Sequence, residues 1–250
     1  MPIAKPFKRT ARMHRAGSYT SDGHWQYVLH PAFASEPDQF IRSYLVIEKD
    51  FRDLLEFIEP ADTNLPCFSI RIHSLLLRAC VEFEANCRAI LLENNYKKAS
   101  ARDWNITNYN DLEPTHGLSH FEVKLPSWRG THSIRRPFLS WRSSGKLAWY
   151  QAYNNSKHSR HSAFAEASFE HLVDAICALQ ALLAAQFIDN DFSGAFSIGA
   201  SIDDPRYAGF EPGIGGFFSV KFPTHWPASD IYDFDWRTLK DDPNPIQTLW

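Results

Sequence analysis

The densest run of groups able to do chemistry is Trp149-Tyr150-Gln151-Ala152-Tyr153-Asn154-Asn155-Ser156-Lys157-His158-Ser159-Arg160-His161. Asn154 and His158 stand four apart, so on a helix they share one face. Lys157, Arg160 and His161 add two cations and a second imidazole within about one turn. Such a set suits an anion, above all a phosphate, because Arg offers a planar fork and Lys a point charge. Histidine is the side chain suited to moving a proton near neutral pH. A helix opening near Arg160 would aim its free N–H groups at the same anion. The plainer reading is a solvated interhelix turn, in which Asn154 caps or ends a helix and His158 packs on Tyr153 or bonds a carbonyl.

Other combinations are weaker. His116 and His120 have the spacing of a helical metal pair, and His132 is a third imidazole further on. Pro114 and Gly117 argue against a helix there, and no neighbouring Glu or Cys completes a set. Gly213-Ile214-Gly215-Gly216 lacks the Lys-Ser/Thr of a phosphate loop and reads as turn chemistry. There is no Gly-x-Ser-x-Gly elbow. The four Cys (67, 80, 87 and 177) lie in apolar contexts, and Cys80 and Cys87 have helical core spacing rather than zinc-ligand spacing.

These candidates sit in a chain of 250 residues with 8 Trp, 9 Tyr and 19 Phe, enough aromatic mass to build a large core. Net charge is −3, which disfavours a duplex-DNA binder acting through overall charge. No apolar run is long enough to cross a bilayer, and the scattered cysteines fit a reducing compartment, so a cytoplasmic location without membrane association is expected.

Four helices are expected to position the chemistry. Ser35 and Asp38 form a capping box with Pro37 in the first turn, followed by Phe40, Tyr44, Ile47, Phe51 and Leu54 at helical spacing. A second helix runs from about Cys67 to Asn94, with Glu84 interrupting its apolar surface and wanting a partner. A third covers Leu147 to about Lys157, and a fourth about Ser162 to Phe187. Phe121–Leu125 alternates like a short strand, and a Gly- and aromatic-rich run ends in the β-favouring stretch Gly216–Phe222. The expected fold is mainly α: an antiparallel four-helix bundle with a small β or irregular C-terminal appendage. Residues 1–34 read as a mobile basic arm and irregular segment, since Lys5–Arg15 hold five Lys or Arg and no acid. Residues 35–190 form the bundle, with a long inserted connection over 95–136. Residues 191–250 form the appendage and a solvated acidic tail, which could shield a basic patch.

The motif Tyr153-Asn154-x-x-Lys157-His158-x-Arg160, set just before a long apolar helix, resembles the equivalent stretch of bacterial proteins with HEPN-like bundles. Leu75-Leu76-Leu77-Arg78-Ala79-Cys80-Val81-Glu82-Phe83-Glu84 is similar to the second helix of such domains, and the resemblance spans roughly residues 36–188. It implies a bundle that dimerises and brings two motifs together at the interface. It also implies either a metal-independent endoribonuclease of toxin–antitoxin or phage-defence type, or a protein that only binds RNA or nucleotides. In the ribonuclease members an Arg, a polar residue and a short spacer precede the His. Here His158 matches the His, Asn154 stands where the Arg would be, and Arg160 follows.

Carried over residue by residue, His158 is the acid or base, while Arg160 and Lys157 hold the phosphate. Asn154 orients, and Glu84 fixes His158 or Arg160. His161 and Tyr153 complete the ligand contacts. The chemistry would need no metal or cofactor, only a base for the 2′-hydroxyl, cations for the phosphate and an acid for the leaving oxygen. The alternative is a non-catalytic, dimerising interaction module that meets a protein partner through the C-terminal appendage.

Overall fold

The computed structural model describes residues 2–19, 21–143, 145–192 and 209–250. Residues 193–208, with Gly194 and Gly199 of the expected appendage, lie outside the described residues. The described chain is mainly α. Its helices are α1 (Pro37–Leu54), α2 (Ile70–Glu93), α3 (Ile106–Tyr109), α4 (Glu113–His116), α5 (Ala148–His158), α6 (Arg160–Ala163), α7 (Phe169–Phe187) and α8 (Trp236–Leu239). The strands are β1 (Glu122–Lys124), β2 (Ile134–Arg135), β3 (Glu211–Pro212) and β4 (Ser219–Lys221).

α7 is the axis of the molecule. Every residue from Ala175 to Phe187 is buried. A stretch that shows no face to water must be covered on all sides, and α1, α2, α5 and β1 all pack against α7. α2 also packs against α1 and α5, through a stripe of Ile72, Leu76, Ala79, Phe83, Cys87 and Ile90. Ser69 caps α2 by accepting from the Ile72 amide at 3.2 Å.

Two helix starts depart from the sequence reading. Ser35 does not cap α1: its amide donates to the Glu93 carboxylate at 3.2 Å, and Glu36 enters the helix in a left-handed conformation (φ 49°). The last fourth-helix start is also later than expected. Residues 160–166 are spent on α6 and a 3-10 turn, and α7 opens at Phe169. Ser168 caps it, while the Phe169 amide is taken by the Cys67 carbonyl at 2.7 Å. In both cases a bond from a distant segment decides where the helix begins.

The expected strand within 121–125 is β1, and β4 lies inside the β-favouring run 216–222. They belong to one antiparallel sheet of order β2-β1-β4-β3, in which Val123 pairs with Val220. The inserted connection and the C-terminal segment are therefore one structural unit. Arg135 of β2 fastens the sheet to α7, donating to Asp174 at 2.6 Å. The Trp-rich stretch thickens the core, with Trp104, Trp128 and Trp141 all buried.

The basic N-terminal segment is not a free arm. Arg9, Thr10, Arg12 and His14 are buried. Arg9 donates to Glu93 at 2.6 Å, to Gln186 at 3.2 Å and to the Ser35 carbonyl at 2.6 Å. Its guanidinium also lies 4.5 Å from the Phe40 ring centroid. The acidic tail supplies the outer partners, Asp242 to Lys5 at 2.9 Å and Asp233 to Arg15 at 3.0 Å. A charge run that reads as mobile is packed because Lys5, Arg9, Arg12 and Arg15 each meet an acceptor from another part of the chain.

Candidate functional site

α5 points one face inward. Trp149, Tyr150, Ala152, Tyr153 and Ser156 are buried, with the Trp149 ring edge-on to Phe83 of α2 at 5.1 Å. The helix ends at Ser159, whose amide donates to the Asn155 carbonyl at 2.8 Å. Lys157, His158, Arg160 and His161 are exposed beyond or opposite the packed face.

Three of the sequence-predicted residues are brought together. Glu84 is half-buried on α2 and accepts from the Tyr150 hydroxyl at 2.7 Å. Tyr150 and Tyr153 lie 5.4 Å apart, centroid to centroid. Lys157 donates to the Tyr153 hydroxyl at 3.0 Å, with its ammonium 4.9 Å from the ring centroid. Burial and the adjacent Glu84 carboxylate hold the Tyr150 phenol far above its usual range. Burial raises Tyr153 as well, against the opposing pull of Lys157. The bond to Tyr153 raises Lys157, which stays an ammonium throughout the physiological range.

The other predicted residues are not joined to this set. Among the described residues, no hydrogen bond or ion pair links His158, Arg160, His161 or Asn154 to one another or to Glu84. Arg160 sits 5.8 Å from the Phe164 ring centroid. Asn155, not Asn154, makes the local side-chain bond, to Glu166 at 2.8 Å. Glu84 engages Tyr150 rather than His158 or Arg160. A helix does open at Arg160, but it is the single turn α6, and the long apolar helix α7 opens only at Phe169.

The arrangement therefore offers exposed positive charge and two imidazoles that, among the described residues, form no ion pair with a carboxylate, although Glu84 acts on Lys157 at longer range. It does not offer a histidine oriented by a second group, the arrangement that tunes an imidazole for proton transfer. Tyr150 is the residue that sequence reasoning missed. Its only signal was its place three residues before Tyr153, on the same helical face.

The imidazoles read as a metal pair are separated by Gly117, whose left-handed backbone (φ 62°) ends α4 between them. His116 is buried with Nε2 3.0 Å from the Arg9 carbonyl. His120 instead meets Arg142 and, in a stack, His225. Nothing in the sequence announces that second meeting, because the two histidines are far apart along the chain. His132 is paired elsewhere, 3.0 Å from Asp62. Cys80, Cys87 and Cys177 are buried free thiols pushed well above their ordinary pKa by burial, which leaves them inert. Among the described residues, no helix is long and apolar enough to cross a membrane. Compared with known proteins, the chain matches no protein-family model, no curated protein and no solved structure.

Proposed function

We propose that this protein is a HEPN-like four-helix bundle that binds RNA or nucleotide phosphate through the turn joining α5 to α6. One observation carries the reading. Lys157, His158, Arg160 and His161 project from a single exposed turn, and the nearby carboxylates are occupied, Glu84 by Tyr150 and Glu166 by Asn155. Among the described residues Arg160 has no internal acceptor and Lys157 only the Tyr153 hydroxyl, so both charges are available to phosphate oxygens. Binding is favoured over cleavage because His158 has no orienting partner. The metal-independent endoribonuclease, and with it the toxin or phage-defence setting, rests on the resemblance of the motif alone.

The test is titration of a fluorescent single-stranded RNA at several salt concentrations. Loss of each phosphate contact should lower the salt-dependence slope by roughly 0.7. An RNA cleavage assay in EDTA, wild type against His158→Ala, separates the two forms of the proposal. Degradation that disappears in the variant would establish the ribonuclease.

A second reading, the dimerising interaction module, is favoured by a different feature. An open groove of about 800 Å³ runs between α1 and α2, floored by Val46, Leu77 and Val81 and edged by Arg42 and Arg78. Val46 and Val81 are about half exposed in it. A homodimer in light scattering that is lost in Val81→Glu would support this reading.

A further inference from the structure

A second basic cluster lies on the opposite side of the chain's connectivity, where the inserted connection meets the C-terminal segment. Gly117 lets the chain turn sharply after α4, and a side chain there would collide with the Trp226 ring. Past the turn Ser119 is buried and His120 is half-buried. Arg142 is anchored over them, donating to the Ser119 hydroxyl at 3.2 Å and to its carbonyl at 2.9 Å. The same guanidinium lies 2.7 Å from His120 Nδ1. A guanidinium only donates, so Nδ1 must accept, and the neutral His120 carries its proton on Nε2. His225 stacks face to face on His120, with centroids 3.2 Å apart and planes 18° apart.

This is an uncomfortable arrangement for the molecule alone. His120 and Arg142 line a cleft of about 240 Å³ together with Phe121, Glu122 and Arg136, and His225 flanks it through its stack on His120. The carboxylates in reach are engaged. Arg136 and Lys221 hold Glu122, at 3.0 and 3.9 Å. Glu113 accepts from the Ser119 amide at 2.8 Å and from its hydroxyl at 2.5 Å. Burial, His225 and Arg142 together lower His120 to about 4, and His225 is lowered as well. Both rings are thus kept neutral beside fixed positive charge, and an incoming anion would relieve that repulsion and protonate them.

We propose that this cleft is a second anion site, taking a phosphate monoester against the Arg142 and Arg136 guanidiniums and the His120–His225 pair. It does not depend on the α5–α6 turn. Arg142 and Arg136 supply permanent charge, while His120 Nε2–H and the His225 ring supply donors that strengthen on protonation. Binding therefore takes up protons, because the bound anion raises both imidazoles towards the charged form. Phosphate carried as the free ion and phosphate carried on a nucleoside share this chemistry.

The experiment is an imidazole NMR titration of the full chain, labelled at histidine, with orthophosphate and separately with a nucleoside monophosphate. His120 and His225 should move saturably towards the imidazolium form, and binding enthalpies should differ between buffers in the sense of proton uptake. His225→Ala should weaken binding about tenfold or more, as loss of a charge-assisted bond predicts. His225 is exposed, so this variant should keep its fold, whereas Arg142→Gln could loosen the Ser119 turn and serves as the second, stronger test. A tighter nucleotide would point to added contacts from the nucleoside; equal affinities would assign recognition to the phosphate group. Either outcome supports the site. No saturable movement at His120 and His225 would overturn it, as would unchanged affinity in His225→Ala. Movement confined to His158 and His161 would do the same while leaving the α5–α6 turn standing.

Discussion

Two basic regions of this protein, alike in sequence, have opposite fates. The segment Lys5–Arg15 and the turn Lys157–His161 are both short, cationic and punctuated by histidine. In the first, Arg9 and Arg12 are buried and their donors are spent on the protein itself. Arg12 donates to the Thr115 and Asp230 carbonyls at 3.1 and 3.0 Å. In the second, Arg160 and both histidines face solvent without an acceptor. Charge alone does not mark a binding surface. A buried cation with its donors filled holds the fold, and one that faces solvent can hold a ligand.

The sharpest way to break the comparison is to remove Arg9. Arg9→Met should cost about 3–5 kcal/mol in denaturant unfolding, since it strips Glu93, Gln186 and the Ser35 carbonyl of their shared partner. Arg160→Ala should stay within about 0.5 kcal/mol, as an exposed substitution does. Equal effects would erase the distinction.

Acid should act on the same region. His14 and His116, which lie in or against the N-terminal segment, are lowered from 6.5 to about 4, chiefly by burial. In the unfolded chain they take protons at higher pH than in the fold. Their contribution is therefore complete above about 6.5 and is lost as pH falls towards 4. For His116 the loss is on the order of 3 kcal/mol. Melting temperature measured from pH 7 downwards should fall, and His116→Gln should flatten the decline.

Tyr150 tests the boundary between the buried and the available. Tyr150→Phe leaves Glu84 without its donor and should cost about 1–2 kcal/mol. The freed carboxylate would then compete for Lys157, so RNA affinity should fall although no cation has been removed. Unaltered binding would show that Glu84 does not reach the turn. The smallest effect on stability belongs to the triple change Lys157→Ala, His158→Ala and Arg160→Ala. It should leave the unfolding midpoint nearly unmoved and reduce the salt slope of RNA binding by about 1.4, roughly 0.7 for each of the two cations removed.

The four long helices were legible because their apolar residues recur with helical period, as at Tyr44, Ile47, Phe51 and Leu54, all buried on α1. Helix starts were less legible. Ser35 has the residue type of a cap, yet Glu93 claims its amide. At the candidate site the sequence pointed to Asn154 and His158 as the pair four apart, whereas Tyr153 and Lys157, with the same spacing, are the two that meet. The partner of Glu84 was not legible, since the approach of α2 to α5 depends on how both helices seat against α7.

The features legible from one segment at a time were helical period, the short strands at β1 and β4, inert buried cysteines, and a positive turn after Tyr153. These follow from spacing along one segment, which covalent geometry fixes. Only the tertiary structure decided that Arg9 is core, that Asp242 belongs to Lys5, that β1 and β4 share a sheet, and that His120 meets His225. Each of these joins residues far apart in the chain. Their meeting is set by the burial of whole faces, with polar groups then finding whatever partners that burial leaves within reach.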